Sequence, residues 1–218
     1  MKMLPAQPRL DEQVHDAILQ EITSGKLPPG ARVIQETIAQ ELGVSRQPVQ
    51  QALALLRNQG LLRDAPGRGL VVAPLDPDHI AAMYDMRAVV EGLACRKAAE
   101  LNSKAVQQNG AGLIQAGRDA VARESVTDMV AADIAFHEFI YSMSENPLIA
   151  PAMAMHWHYT HRVMGEVLMR DEQPRQIWDQ HEAIFNAVVS GDGPAAERLA
   201  RQHILTAARR IVLRLRGG

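Results

Sequence analysis

Val44-Ser45-Arg46-Gln47-Pro48-Val49-Gln50-Gln51-Ala52-Leu53 decides the fold, and the reading turns on where a helix can begin. Ser45 precedes an apolar stripe, Val49, Leu53 and Leu56, at helical spacing, and its hydroxyl suits the orphan amide donors of a first turn. Pro48 would break a helix interior, yet three residues after the cap it removes only an amide without an intrahelical partner. With the stripe turned inward, Arg46, Gln47, Gln50 and Gln51 face outward from the first two turns, where a recognition helix meets base edges. Arg can take guanine O6 and N7 together and Gln can take adenine N6 and N7, so Arg46 and Gln50, four apart, form a pair of candidate base contacts.

The flanks agree. A preceding helix, about Gln35 to Leu42, is expected to turn Ile38 and Leu42 inward, and Gly43 supplies the turn between the two. After Gly60, Leu61-Leu62-Arg63 and Leu70-Val71-Val72 bracket a hairpin whose tip holds Arg68 between Gly67 and Gly69, placed to reach phosphate or the minor groove. Residues 1–75 therefore read as a winged helix-turn-helix DNA-binding domain.

Charge alone does not point to DNA. The chain of 218 residues carries 23 Lys/Arg and 25 Asp/Glu. Between Leu42 and Leu75, however, Arg46, Arg57, Arg63 and Arg68 face only Asp64, a modest positive patch. One such module binds weakly, which points to a homodimer on two half-sites of a near-palindromic duplex. Cys95 is the only cysteine, so neither an internal disulfide nor a cysteine-based zinc site is available. With no signal-peptide core and no apolar run long enough to span a membrane, the expected location is the cytoplasm.

Residues 76–218 change texture. Asp76-Pro77 reads as an N-cap followed by a first-turn proline, and no strand pattern follows. Helices are expected over about Pro77–Leu101, Lys104–Arg123, Val126–Ser144, Pro147–Met169, Pro174–Ser190 and Pro194–Leu215: a bundle of six or so, making the whole chain mainly α. Gly110, Gly112 and Gly117 count against the second of these, at about 1 kcal/mol each relative to Ala.

Within the bundle, Asp133 and His137 are four apart on one helix face, while His181 and His203 each sit among apolar residues that should face the interior. Three imidazoles and a carboxylate suit a divalent transition metal, zinc first, with nickel and manganese as alternatives. The competing reading is that these are hydrogen-bonded core histidines. His15-Asp16 superficially resembles the paired residues of helical phosphohydrolases, which opens a metal-dependent hydrolase as another function class. No nucleophile or general base stands beside Asp133 in the pattern, and the pair falls in the first helix of the DNA-binding domain, where a solvated face is the simpler reading.

Leu27-Pro28-Pro29-Gly30, Leu42-Gly43-Val44-Ser45-Arg46-Gln47-Pro48-Val49 and Gly60-Leu61-Leu62 resemble the GntR family of bacterial transcription regulators. Asp133-Ile134-Ala135-Phe136-His137, Asn146-Pro147-Leu148, His181-Glu182-Ala183-Ile184 and His203-Ile204 resemble the FCD effector domain of its FadR subfamily. The resemblance implies a homodimer on a near-palindromic operator, a metal held by Asp133, His137, His181 and His203, and a small carboxylate effector that alters DNA affinity. It further implies that Arg87 faces the effector cavity, where a guanidinium fork binds a carboxylate bidentately. His158 and Arg162, four apart, form a second candidate anchor pair. The expected outcome is repression relieved by ligand, with a metal-responsive regulator as the alternative. Met83, Met86, Met129, Met155 and Met164 are candidate cavity fillers. The chain departs from the family at Gln35-Glu36, where Glu-Arg is common, and at Gln50-Gln51, where Arg-Glu is common, so an operator unlike the usual half-site is expected.

Overall fold

The computed structural model describes residues 10–164 and 174–217, and within them the side chains of all but Met155 and His158. The chain divides into two compact units, Met1–Leu75 and Asp76–Gly218. In the first, α1 (Leu10–Thr23) buries Val14, Ile18 and Ile22, and α2 (Gln35–Glu41) and α3 (Arg46–Asn58) form the helix-turn-helix. Gly43 sits in the turn at φ 65°, a left-handed conformation that costs other residues a Cβ clash. Val49, Leu53 and Leu56 are buried as their spacing requires. From α2 the buried residue is Ala39, while Leu42 lies 41% exposed and Ile38 half-buried, because the helix ends at Glu41 and Leu42 turns away with the cap.

The hairpin β2 (Leu62–Asp64) and β3 (Leu70–Val72) is present, and β1 (Arg32–Val33) joins it to give an antiparallel sheet in the order β1-β3-β2. Arg32 and Arg63 pair with Val71 from opposite sides. Strand β1 is not legible in the sequence, since two residues carry no readable alternation. His15 is not on a solvated face: it is buried, with Nε2 2.9 Å from Gln59 Oε1 and Nδ1 3.0 Å from Asp16 Oδ1, so it braces α1 against the end of α3.

The second unit contains, among the described residues, five helices rather than six: α4 (Pro77–Ala122), α5 (Val126–Met143), α6 (Ile149–Val163), α7 (Pro174–Val189) and α8 (Gly193–Gly217). Two expected helices are joined in α4, with a kink at Asn102 (φ −133°, ψ 23°) where a break was expected. The Asn102 side chain donates to Met143 O (2.9 Å) and Glu145 Oε1 (3.0 Å), so this residue leaves helical geometry to satisfy the C-terminus of α5. The expected extension of α6 to Met169 falls partly outside the described residues.

Asp76 caps α4 as its sequence predicts, accepting from the amides of Asp78 (2.9 Å) and His79 (3.3 Å), with Pro77 in the first turn. Its own N–H donates to the Tyr159 hydroxyl on α6 at 3.1 Å. The α4 glycines are a packing requirement rather than a weakness. A methyl group at Gly110 would stand 2.7–2.8 Å from Phe185 and Phe139, and one at Gly117 would stand 2.0–2.1 Å from three ring atoms of Trp178. These two glycines let α4 approach aromatic rings that no other residue would admit, whereas Gly112 has open space. No described helix is long and apolar enough to cross a membrane.

Candidate functional sites

On α3, Arg46, Gln47, Gln50 and Gln51 are all exposed on the face opposite the buried stripe. Ser45 occupies the N-cap position with extended backbone (φ −71°, ψ 164°), but its side chain makes no capping bond, which leaves the hydroxyl exposed and available to another acceptor. Gln35 Nε2 donates to Arg46 O at 2.8 Å and ties α2 to the first turn of α3, while the Arg46 guanidinium pairs with Glu36. Arg68 and Gly69 are exposed at the hairpin tip, where Gly67 and Gly69 adopt φ 96° and 94°. Gln50, Arg57 and Asp64 line a groove of about 420 Å³ with Gly69 of the hairpin.

In the helical unit, α5 brings Asp133 and His137, α7 brings His181 and α8 brings His203 to one buried point. The candidate ligand atoms of the three histidines lie within 4.8 Å of one another. His181 Nε2 and His203 Nε2 are 3.1 Å apart, and Asp133 stands 3.4 Å from His181 Nε2 and 3.7 Å from His137 Nε2. Two nitrogens bound to one ion at about 2.1 Å, at angles between a right angle and the tetrahedral value, stand about 3.0–3.4 Å apart. The His181–His203 separation fits a shared transition metal, and the donor set fits one in chemistry.

Two further side chains, which the sequence analysis missed, orient these rings. His137 Nδ1 lies 2.6 Å from Glu91 Oε2, and His203 Nδ1 lies 2.7 Å from Gln180 Oε1. A ring nitrogen that close to a carboxylate or amide oxygen carries the proton, because two lone pairs would repel, and so the Nε2 lone pair faces the cluster. Glu91 lies four residues after Arg87 and Gln180 adjoins His181, but neither spacing has meaning until α4 and α7 are packed.

Charge is unevenly shared among these groups. Burial, reinforced by neighbouring imidazoles, holds His181 well below the ordinary histidine value and His203 down to about 3, so both are neutral ligands in waiting. Burial opposes charge on His137 too, but the Glu91 and Asp133 carboxylates outweigh it and raise its pKa. Asp133 is raised by burial against the pull of His137 and Arg87. Burial would raise Glu91 as well, yet Arg87 and His137 hold its carboxyl far below the usual range.

Arg87 is 3% exposed, neither a surface residue nor freely solvated. Its Nε donates to Glu91 Oε1 at 2.7 Å, and its guanidinium lies over the rings of Tyr84 (4.6 Å) and Trp157 (5.3 Å). Arg87, Asp133, His137 and His203 line one cavity of about 30 Å³ together with Tyr84 and Arg210. A water needs about 10–15 Å³ by this measure, so the space admits one or two small donor groups beside the ligands. Tyr84, its hydroxyl pushed up to about 12 by burial, remains a proton donor on the cavity wall. Arg162 is buried but does not line this cavity, and the His158 side chain lies outside the described residues. Of the methionines, Met164 lines the cavity, Met83 and Met129 are buried, Met86 is exposed, and Met155 lies outside the described side chains.

A helix-turn-helix with a wing, followed by a helical unit enclosing a histidine cluster, places the chain in the class of two-unit DNA-binding bacterial regulators. The model of the "Bacterial regulatory proteins, gntR family" matches residues 10–72 and that of the "FCD domain" matches residues 82–206. The chain belongs to the GntR family and carries its FCD domain; it is a DNA-binding transcription regulator, and its relatives are regulators rather than enzymes. It is 30% identical over 186 residues to an HTH-type transcriptional regulator of Streptomyces ambofaciens, covering 85% of this chain and 78% of that protein. It is 25% identical over 204 residues to the transcriptional repressor RspR of Escherichia coli, covering 92% and 87%. The solved structure of E. coli McbR/YncC shares the fold, with TM-score 0.76 at 20% identity, over 96% of this chain and all of that one.

Proposed function

We propose that the protein is a homodimeric repressor that leaves a near-palindromic operator when a small carboxylate metabolite binds at a divalent metal, zinc first among the candidates, in the helical unit. Asp133, His137, His181 and His203 are the metal ligands and Arg87 is the carboxylate anchor. Arg46, Gln47, Gln50 and Gln51 read bases, while Ser45, Arg68 and Gly69 meet the sugar-phosphate backbone. Such a protein works beside the DNA, in the cytoplasm. The observation that carries the effector reading is the convergence of three buried histidines, with the Asp133 carboxylate beside two of them and with Glu91 and Gln180 against the Nδ1 atoms of His137 and His203.

One N–H···N bond between His181 and His203, with Asp133 Oδ1 at 3.4 Å from the same nitrogen as a second acceptor, is the competing account of their 3.1 Å separation, and metal analysis separates the two. The bound ion would supply a Lewis-acidic position for a ligand oxygen. Arg87, held by Glu91 and lying against two rings, presents the rest of its guanidinium with little rotamer freedom left to lose. Repression matches the name of RspR. A ligand that bound both dimer geometries equally would shift nothing, so effector affinity must fall when operator is bound.

The test is elemental analysis of protein purified without a histidine tag or chelator, beside a variant carrying His181→Ala and His203→Ala. About one transition metal per chain, lost in the folded variant, is expected. A well-folded wild type that takes up no metal on soaking would remove the effector reading and leave DNA binding intact. Whether metal alone releases operator separates carboxylate sensing from metal sensing.

A further inference from the structure

Glu91 is 1% exposed, and each of its two oxygens has a different neighbour: Oε1 meets Arg87 Nε at 2.7 Å and Oε2 meets His137 Nδ1 at 2.6 Å. We propose that Glu91 is the positioning residue that makes metal and carboxylate bind as a pair, because one buried carboxylate sets both the metal-facing tautomer of His137 and the direction of the Arg87 guanidinium. The inference rests on the reading of the site as a metal-dependent carboxylate site.

The geometry makes the sharing strict. Arg87 and Glu91 are one turn apart on α4, so their separation is fixed by the helix, while His137 comes from α5 and can meet Glu91 only at the oxygen that Arg87 leaves over. An electron pair drawn from His137 Nε2 makes its Nδ1–H a stronger donor and draws Glu91 Oε2 closer to it. That withdraws carboxylate charge from Arg87 and leaves more of the guanidinium's field for an incoming anion in the cavity that Arg87 shares with His137. By reciprocity, an anion on Arg87 must strengthen the hold of the histidine set on its metal. Without the bridge, both groups remain but act separately.

Cobalt(II) binding to the full-length protein, followed by its visible spectrum and by competition with a chromophoric chelator, with and without acetate as the carboxylate probe, tests this. In the wild type, acetate should tighten cobalt binding about tenfold and shift the spectrum, within the usual range of coupling between sites. Glu91→Gln keeps the shape of the side chain and should bind cobalt about 10–100-fold more weakly, as loss of an outer partner does, with the acetate effect reduced to less than about twofold. Glu91→Asp retains the charge but is too short to reach both partners, and it should lose the coupling in the same way if the glutamine variant fails to fold. A folded variant with weakened cobalt binding but undiminished acetate coupling would show Glu91 to be a structural residue only, and a wild type whose cobalt affinity ignores acetate would overturn the pairing. Absence of cobalt binding in the wild type would instead remove the metal reading itself.

Discussion

Replacing Gly117 by Ala sets two effects of opposite sign against each other, and the structure says which wins. In a helix interior Ala is better than Gly by about 1 kcal/mol, so on propensity alone the change should stabilise α4. The added methyl, however, would stand 2.0–2.1 Å from Cζ2, Cε2 and Cη2 of Trp178, where carbon contacts settle at about 3.5–4.0 Å. Trp178 is 1% exposed and its ring meets that of His181 edge-on at 4.8 Å, so it cannot retreat without disturbing the histidine cluster. Overpacking of this kind costs about 1–3 kcal/mol and at times more, and a required shift of well over an ångström belongs at the upper end. The net expectation is a loss of about 2 kcal/mol, or about 4–8 °C in Tm for a unit of this size. Gly112→Ala is the internal control, since nothing lies within 4 Å of the added methyl; it should gain about 0.5–1 kcal/mol. Both tryptophans, Trp157 and Trp178, are in the helical unit, so thermal unfolding followed by tryptophan fluorescence reports that unit alone. If the Gly117 variant melts at or above the wild type, the close approach of α4 to Trp178 is wrong.

Metal-free protein should lose stability as pH falls from about 6.5. His181 and His203 are neutral in the fold with depressed pKa values, so their contribution is complete above the unfolded value of about 6.5 and is lost as the unfolded chain takes up protons that the fold refuses, at up to about 1.4 kcal/mol per pH unit for each. His137 runs the other way, and the raised Asp133 offsets part of the loss; melts of chelator-treated protein between about pH 7 and pH 5 that stayed level would refute the net sign. Gln50→Arg should move the preferred half-site from adenine toward guanine at one position in a selection from random DNA, with a gain of about 1–3 kcal/mol there, and an unchanged half-site and affinity would count against Gln50 as a base reader.

The parts of this molecule that were legible in its sequence are those governed by short range. Pro48 and the Val49-Leu53-Leu56 stripe specify where α3 starts and which face it buries, although the Ser45 side chain makes no capping bond, and Asp133 and His137 share a face because they are four residues apart on one helix. Glu91 and Gln180 were not legible, because each matters only through a partner on another helix. The glycines of α4 were misread for the same reason: a local propensity scale counts Gly110 and Gly117 as defects, and only the packed rings of Phe139, Phe185 and Trp178 reveal why a side chain is excluded. Asn102 falls between two expected helices, whereas its bonds to Met143 and Glu145 hold it as a bend within one continuous element.

Helix α6 touches two points that matter for signalling. Trp157 lies against the guanidinium of Arg87, and two residues along, the Tyr159 hydroxyl receives the amide of Asp76, the first residue of the helical unit. Trp157 and Tyr159 stand within a single turn of one helix, so a rotation of α6 would move the contact with Arg87 and the contact with the residue through which the chain enters this unit together. Such a relay has few joints in which motion can be dissipated, and its gain is set by how rigidly two aromatic side chains are seated.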